Sequence, residues 1–157
     1  MIALKLFGGV LILTAGVFTA VGSVRRERSK LTALEGWIAL IRYIRGQIDC
    51  FLTPLDEILL ADRSLLRACM GHGNEGSLSE LLAASAPLLD EEVNMQLRAF
   101  VREMGGSYRE EQVKRCDYYL SVLLALREKR TAELPLRIRL CTTLSLCASA
   151  GILILLW

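Results

Sequence analysis

The sequence predicts an all-α protein, in which a helical bundle domain is flanked by N- and C-terminal transmembrane helices. Two observations indicate this class. Uncharged apolar stretches lie near both ends of the chain, whereas all 17 acidic residues and all but two of the 19 basic residues lie within 25–137. Inside that range the apolar residues recur every three or four positions, as on one face of a helix, and no segment alternates as a strand does. We therefore divide the chain into an N-terminal transmembrane helix (1–24), a helical domain (25–137) and a C-terminal transmembrane helix (138–157).

The two apolar stretches are long enough to cross a membrane. Leu6–Val24 has nineteen residues and Leu140–Trp157 has eighteen, and a helix of about 20 apolar residues spans the hydrocarbon core of a bilayer. A cleaved signal peptide is the alternative for the first stretch, with Ala20-Val21-Gly22 similar to a cleavage site. Signal peptides have apolar cores of only about 7–15 residues, so an uncleaved span is favoured.

Basic residues predict the orientation of the domain. Lys and Arg near membrane spans are enriched on the cytoplasmic side, and here they cluster where both spans meet the domain. We therefore expect a protein of the cell membrane with a cytoplasmic domain, both termini on the other side, and an aromatic anchor at the end of the second span. The predicted membrane-interface residues are Arg25, Arg26, Arg28, Lys30, Arg137, Arg139 and Trp157.

The first half of the domain predicts two helices. The first continues directly from the N-terminal span and has a wide apolar face, which suits burial in a bundle. Thr53-Pro54 begins the second, because Thr is a good N-cap and Pro favours the first helical position. It runs to about Met70 and is followed by a glycine-rich loop at 71–76. The face of the first helix comprises Leu34, Trp37, Ile38, Leu40, Ile41, Ile44, Ile48, Phe51 and Leu52, and that of the second Leu55, Ile58, Leu59, Leu65 and Leu66.

The second half of the domain predicts three more helices. Ser77 and Glu80 have the spacing of a capping box and begin a short helix to about Ala86. After Pro87, the acidic run 90–92 suits the start of the next helix, which ends at a glycine pair, 105–106. Ser107 and Glu110 form a second capping pair that begins the long last helix. The inward residues are Val93, Leu97, Phe100, Val101 and Met104, then Val113, Cys116, Tyr119 or Leu120, Leu123, Leu124 and Leu126; Pro135 is a position where the last helix can kink.

The sequence contains no recognisable catalytic or metal-binding pattern. The single histidine, His72, stands among the glycines of a loop, and adjacent Asp56 and Glu57 diverge on a helix and suit its first turn. The five cysteines lack the short spacings of a zinc site and are expected to be reduced thiols. The charges of the domain cancel, which argues against nucleic-acid binding. We expect no enzymatic activity and no cofactor.

Protein interaction is the remaining role for the domain. Aromatic side chains often anchor interfaces, although we expect most of these rings to belong to the core and only one or two to lie at the surface. The predicted partner-interface residues are Trp37, Tyr43, Phe51 and Tyr118.

Two segments are similar to segments of a known family. The stretch 33–60 has a helix of aliphatic repeats followed by Thr53-Pro54-Leu55, and the glycine pair 105–106 is followed by Glu111-Gln112 at the start of the last helix. In these features, and in the order of its elements over essentially its whole length, the chain resembles the stage III sporulation protein AB family of endospore-forming bacteria. Gln47 departs from the family pattern, where a Glu is expected.

The resemblance implies a non-enzymatic membrane component of the channel complex between mother cell and forespore, in the mother-cell membrane around the forespore. The domain would resemble the cytoplasmic domains of the type II secretion platform protein F. It would act as an assembly platform that docks a cytoplasmic ATPase and contacts other channel proteins, including a multi-span membrane subunit. The alternatives are a membrane-anchored helical adaptor that regulates an unrelated sensor or transporter, and an extracytoplasmic protein held by its C-terminal anchor.

Overall fold

The backbone is helical in each element that the structure describes, which confirms the predicted all-α class. The structure is a computed structural model that describes residues 2–51, 57, 63–69, 77–104 and 108–156, with side chains for 14–50, 57, 64–69, 77–104 and 108–152. In chain order the helices are α1 (Ile2–Phe51), α2 (Arg63–Ala68), α3 (Leu78–Ser85), α4 (Glu91–Glu103) and α5 (Arg109–Leu156), with a 3-10 turn at Ala86–Leu88. The predicted restart at Thr53-Pro54, the loop 71–76, the glycine pair 105–106 and Ser107 lie outside the described residues.

The chain forms two compact units. Unit 1 comprises Met1–Arg28 and Thr131–Trp157, and unit 2 comprises Ser29–Arg130. Helices α1 and α5 each contribute to both units. The predicted helical domain, 25–137, includes all of unit 2 and a few residues of unit 1 on either side.

The core of unit 2 contains the residues that the helical spacing places inward. Trp37 and Phe100 are the largest fully buried side chains, and fully burying one large apolar side chain is worth about 1.5–3 kcal/mol. The predicted residues of this core that are buried are Leu34, Trp37, Ile38, Leu40, Ile41, Ile44 and Ile48 from α1, Leu66 from α2, Val93, Leu97 and Phe100 from α4, and Cys116, Tyr119, Leu120 and Leu123 from α5. The predicted inward faces of α1, α4 and α5 are confirmed at these positions.

Local hydrogen bonds define the start of α3 and the turn that follows it. The backbone N–H of Glu80 donates to Ser77 Oγ at 3.3 Å, which confirms the predicted cap. Asn94, in the first turn of α4, donates from Nδ2 to the carbonyls of Ala86 and Leu89 at 3.0 and 3.3 Å. The side chain of Asn94 therefore holds the proline-containing turn against the start of α4.

Ion pairs fix the register between α1 and α5 in unit 2. Glu35 pairs with Arg127 at 3.1 Å, Arg45 with Asp117 at 2.7 Å, and Asp49 with Arg109 at 3.1 Å. Residue numbers rise along α1 as they fall along α5, so the two helices are antiparallel. Each pair is exposed and contributes little stability by itself, but a one-turn slide would break all three.

Close backbone approach at one glycine positions α2 against α1. A Cβ atom added to Gly36 would lie 2.2 Å from the carbonyl oxygen of Ala68 and 2.7 Å from the backbone nitrogen of Cys69. Both atoms belong to the backbone at the end of α2, so they cannot rotate away. Gly36 therefore allows the end of α2 to approach α1 more closely than any larger residue at this position would.

Small side chains bring α1 and α5 together in unit 1. A Cβ atom added to Gly16 would lie 2.8 Å from both Cβ and Oγ of Ser149, and Ala20 and Ser149 are buried. In the part of the chain that the structure describes, no helix is long and apolar enough to cross a membrane. Residues 6–13 and 153–157 of the two predicted spans lie outside the residues whose side chains are described.

Candidate partner and membrane surfaces

One exposed aromatic ring in unit 2 is supported by a buried aromatic pair. Tyr119 packs edge-on against Phe100 at a centroid distance of 5.5 Å, and Tyr118 packs edge-on against Tyr119 at 5.2 Å. Burial, together with the neighbouring Glu103, raises the pKa of Tyr119. Tyr118 remains 60 % exposed, so its ring faces solvent while the buried Tyr119 packs against it.

A charged pair lies next to Tyr118 in sequence on α5. Arg45 donates from Nε and Nη2 to the two carboxylate oxygens of Asp117, at 2.7 and 3.3 Å. The hydrogen bond that Arg45 donates to this carboxylate, together with the negative charge of Asp117, raises the pKa of Arg45. Two parallel hydrogen bonds hold both side chains in one geometry, so Tyr118 and Asp117 sit on an ordered stretch of the α5 surface.

The four predicted partner-interface residues occupy different environments. Trp37 has 0 % exposure and donates from Nε1 to the buried Ser85 Oγ at 3.0 Å, so the structure places it in the core and not on a partner surface. Tyr43 is partly buried and packs against the core, and the side chain of Phe51 lies outside the described residues. Tyr118 is the exposed one of the three rings whose side chains are described.

Among the described residues of unit 2, two further large hydrophobic side chains are exposed, and neither was predicted as an interface position. Met95 on α4 is 58 % exposed, and Tyr108, just before α5, is 89 % exposed. Met95 lies two positions after the buried Val93, so it falls off the apolar stripe of α4, and this spacing could have indicated an outward side chain. No comparable periodic signal exists for Tyr108, because it precedes the helix.

Most of the predicted membrane-interface residues that are described lie in unit 1. Arg25, Arg26, Arg28, Arg137 and Arg139 are exposed, and Arg137 pairs with Glu133 at 2.9 Å. Trp157, which was also predicted to lie at the membrane interface, is outside the described residues. Exposed arginines at these positions remain compatible with contacts to anionic headgroups.

Lys30 differs from the other predicted membrane-interface residues because it takes part in an ion cluster of unit 2. Lys30 Nζ lies 3.2 Å from Oδ1 of Asp90, and Arg130 Nη2 lies 2.5 Å from Oδ2. These three side chains are between 21 and 27 % exposed. Asp90 occupies the N-cap position of α4 without capping it through its side chain, because its carboxylate binds the two cations.

The described residues hold no arrangement suited to metal binding. No group of three or more His, Cys, Asp or Glu side chains converges among them, and His72 lies outside the described part of the chain. None of the five cysteines forms a disulfide, and burial raises the pKa of the Cys116 thiol to about 11. An open surface groove of about 350 Å³ is lined by Asp49, Arg109, Glu110, Val113 and Lys114; its Arg109 and Asp49 are already paired.

Comparison with known proteins adds no family assignment. No family model matches the chain, and no curated protein or solved structure matches it. The surfaces described above are therefore interpreted from their own chemistry and from the sequence.

Proposed function

We propose that this protein is a non-enzymatic, membrane-anchored assembly platform of the sporulation channel complex. In this proposal unit 1 lies in the mother-cell membrane, and unit 2 lies in the cytoplasm and docks an ATPase alongside other channel proteins. The channel and the ATPase come from the resemblance of the sequence to the stage III sporulation protein AB family. The membrane anchoring has a further support in the packing of unit 1.

The packing of unit 1 is the observation that carries the proposal. Three small residues, Gly16, Ala20 and Ser149, lie where its two helices meet. Among the large apolar residues, Phe18 is 81 % and Leu144 is 68 % exposed. Small residues at helix contacts with large apolar residues outside are typical of helices surrounded by lipid. The other large apolar residues that are exposed in the described part of unit 1 are Val17, Val21, Leu136, Leu140, Leu146 and Ile152.

Unit 2 has the opposite arrangement. Among the residues of this unit whose side chains are described, Trp37 and Phe100 are fully buried, and the exposed large hydrophobic residues are Met95, Tyr108 and Tyr118. Isolated exposed residues of this kind are normal on a domain surrounded by water. The contrast between the two units supports a lipid environment for unit 1 and an aqueous one for unit 2.

The membrane orientation can be tested with a native thiol of unit 2. Cys50 is exposed, whereas Cys69 and Cys116 are buried, so Cys50 is the natural target in this unit for a membrane-impermeant maleimide. We expect no labelling in intact cells and labelling after permeabilisation. Cys50→Ala, with the same treatment, identifies the labelled site. Labelling of Cys50 in intact cells would place unit 2 outside and support the extracytoplasmic alternative.

The docking role can be tested by capture of the ATPase with two matched tyrosine variants. Tyr118→Ala removes the ring beside Asp117, and Tyr108→Ala removes an exposed ring elsewhere. If Tyr118 belongs to the docking surface, Tyr118→Ala weakens capture by the full chain at least tenfold, or about 1.4 kcal/mol, because a minority of interface residues each cost more than about 1 kcal/mol when truncated. Tyr108→Ala should leave capture unchanged. Equal capture by wild type and both variants would remove Tyr118 from the docking surface.

The biological role is tested by deleting the gene in its host. Arrest of spore development after engulfment, with a collapsed forespore, is the expected result. Rescue by the wild-type chain, but not by a chain lacking residues 1–24, would connect that phenotype to the membrane anchor. Normal spores would instead favour the adaptor that regulates an unrelated sensor or transporter.

A further inference from the structure

Unit 1 contains an open groove between α1 and α5 whose chemistry changes along its length. Its volume is about 390 Å³. Valine, alanine and leucine form most of its walls, and two arginines follow at the C-terminal end of the α1 wall. The lining residues are Val17, Ala20, Val21, Val24, Arg25, Arg28, Thr142 and Leu146.

The apolar part of the α1 wall is long enough for a substantial part of an acyl chain. Val17 and Val24 are seven residues apart on one helix, which corresponds to roughly 10 Å at about 1.5 Å per residue. Thr142 adds little polarity, because its hydroxyl donates to the carbonyls of Ile138 and Arg139 on its own helix at 2.9 and 3.0 Å. The apolar part of the groove is therefore free of unpaired hydroxyl donors.

Arg25 supplies a positive charge at the end of this apolar wall. It is exposed, and among the described residues it has no ion-pair partner, whereas Arg137 of the same unit pairs with Glu133. Arg28 lies one turn further along the groove. An apolar channel that ends in cations is complementary to a molecule with an apolar tail and an anionic head.

We propose that this groove binds one anionic phospholipid, with an acyl chain along Val17, Val21 and Leu146 and the phosphate at Arg25 and Arg28. The inference rests on the proposed function, because a lipid chain reaches the groove only when unit 1 lies in a bilayer. Arginine suits the position, since its apolar stem lies along the groove while its charged end reaches the headgroup level. A second copy packed in parallel is disfavoured, because it would bring Arg25 and Arg28 against the same two residues.

The test compares lipids on the purified full chain by native mass spectrometry. Phosphatidylglycerol and phosphatidylcholine of identical chain length are offered separately and in competition. We expect one phosphatidylglycerol per chain, retained in preference to phosphatidylcholine. Arg25→Gln should weaken the preference roughly fivefold, and the double variant Arg25→Gln with Arg28→Gln roughly 25-fold, since one cation near a membrane surface contributes about a fivefold factor.

Arg26→Gln is the matched control. Arg26 is exposed, lies between the two groove arginines in sequence and does not line the groove. The substitution Arg26→Gln therefore removes one positive charge, as Arg25→Gln does, without changing the groove. Val21→Trp tests the apolar part independently, because the larger side chain fills the groove and should abolish the retained lipid while both arginines remain. Circular dichroism of each variant shows whether its helices are intact.

The following outcomes would overturn the inference. An equal loss with Arg26→Gln and Arg25→Gln would show general attraction of anionic lipid to basic residues, and retention of a second copy in place of lipid would assign the groove to self-association. Inorganic phosphate is included as a competitor, and displacement of phosphatidylglycerol by it at millimolar concentration would assign the site to the free anion.

Flotation with liposomes separates this inference from the proposed function. A chain that does not float with liposomes contradicts the membrane anchor. A chain that floats but shows no preference for phosphatidylglycerol contradicts only the lipid site in the groove.

Discussion

Arg130 Nη2 lies 2.5 Å from Asp90 Oδ2, and this pair joins the start of α4 to the residue of α5 at which unit 2 ends. Lys30, the second residue of unit 2, binds the other oxygen of the same carboxylate. Asp90 therefore holds both ends of the chain segment that forms unit 2. Arg130 Nη1 is buried without a hydrogen-bond partner among the described residues, so its charge depends on Asp90 for compensation.

Replacing Asp90 is expected to destabilise unit 2. Asp90→Asn removes the carboxylate charge that Lys30 and Arg130 both bind, and these two cations are about three-quarters shielded from solvent. Breaking a fully buried pair costs about 3–5 kcal/mol; because these side chains are partly exposed, we expect about 1–3 kcal/mol. Urea unfolding of the purified full chain, followed by circular dichroism, measures the difference.

Glu92→Gln is the control for this prediction. Glu92 pairs with Lys129 at 3.7 Å, and both side chains are at least half exposed. An exposed pair of this kind contributes about 1 kcal/mol or less. Equal effects of Asp90→Asn and Glu92→Gln would show that the carboxylate of Asp90 has no special role.

Two glycines of α1 predict opposite effects of the same substitution. Gly36→Ala forces the end of α2 away from α1, because the added methyl group would lie 2.2 Å from a backbone oxygen. Gly46 has no atom within 4 Å of its Cβ position, so Gly46→Ala gains helix propensity of about 0.5–1 kcal/mol. Thermal unfolding should show a lower midpoint for Gly36→Ala and a higher one for Gly46→Ala. A Gly36→Ala variant as stable as wild type would contradict the contact with α2.

The buried hydrogen bond between Trp37 and Ser85 should appear as a coupling energy. Ser85→Ala leaves the indole N–H without its partner, a loss of about 1–3 kcal/mol, and Trp37→Phe removes the donor together with packing. In a double-mutant cycle the two effects should differ from additivity by about 1 kcal/mol. Additive effects would indicate that the bond does not stabilise the fold. Capture of the ATPase by Trp37→Phe should be unchanged, as expected for a core residue.

The buried thiol of Cys116 predicts a loss of stability at alkaline pH. Its pKa is raised to about 11 in the folded protein from an ordinary value of 9.0, so the unfolded chain releases the proton first as the pH rises. The stabilisation is fully present below about pH 9 and is lost between about pH 9 and 11, with a slope approaching 1.4 kcal/mol per pH unit. Comparison of wild type with Cys116→Ala across this range isolates the contribution, because the other titrating groups are common to both. A constant difference between the two proteins would contradict a raised pKa.

The sequence predicted the elements and core of unit 2 better than its polar contacts. Positions such as Ile41, Leu97 and Leu123 were identifiable because helical periodicity reports which face is apolar. The role of Asp90 was not identifiable, since its partners lie 60 residues earlier and at Arg130. Residue type alone suggested only that an acid suits the start of a helix.

Trp37 shows that residue type also could not identify which aromatic side chains form the candidate surface. It fits both the apolar stripe of α1 and the composition of an interface anchor, and residue type cannot separate the two. Its partner Ser85, 48 residues away, supplies the buried acceptor that makes the indole a core group. The groove in unit 1 was likewise invisible to the sequence, because it depends on how closely Gly16 lets α1 approach α5.

The antiparallel pairing of α1 with α5 has a consequence for the order in which the chain folds. The contacts that join these helices connect residues 60 to 92 positions apart, and α5 supplies one wall of the core of unit 2. During synthesis the apolar face of α1 is made first and has no α5 to cover it until Leu123 has left the ribosome. Long-range contacts of this kind slow folding and prolong the exposure of apolar surface. A nascent chain halted before α5 should therefore depend on chaperones, and one halted after Arg130 should not.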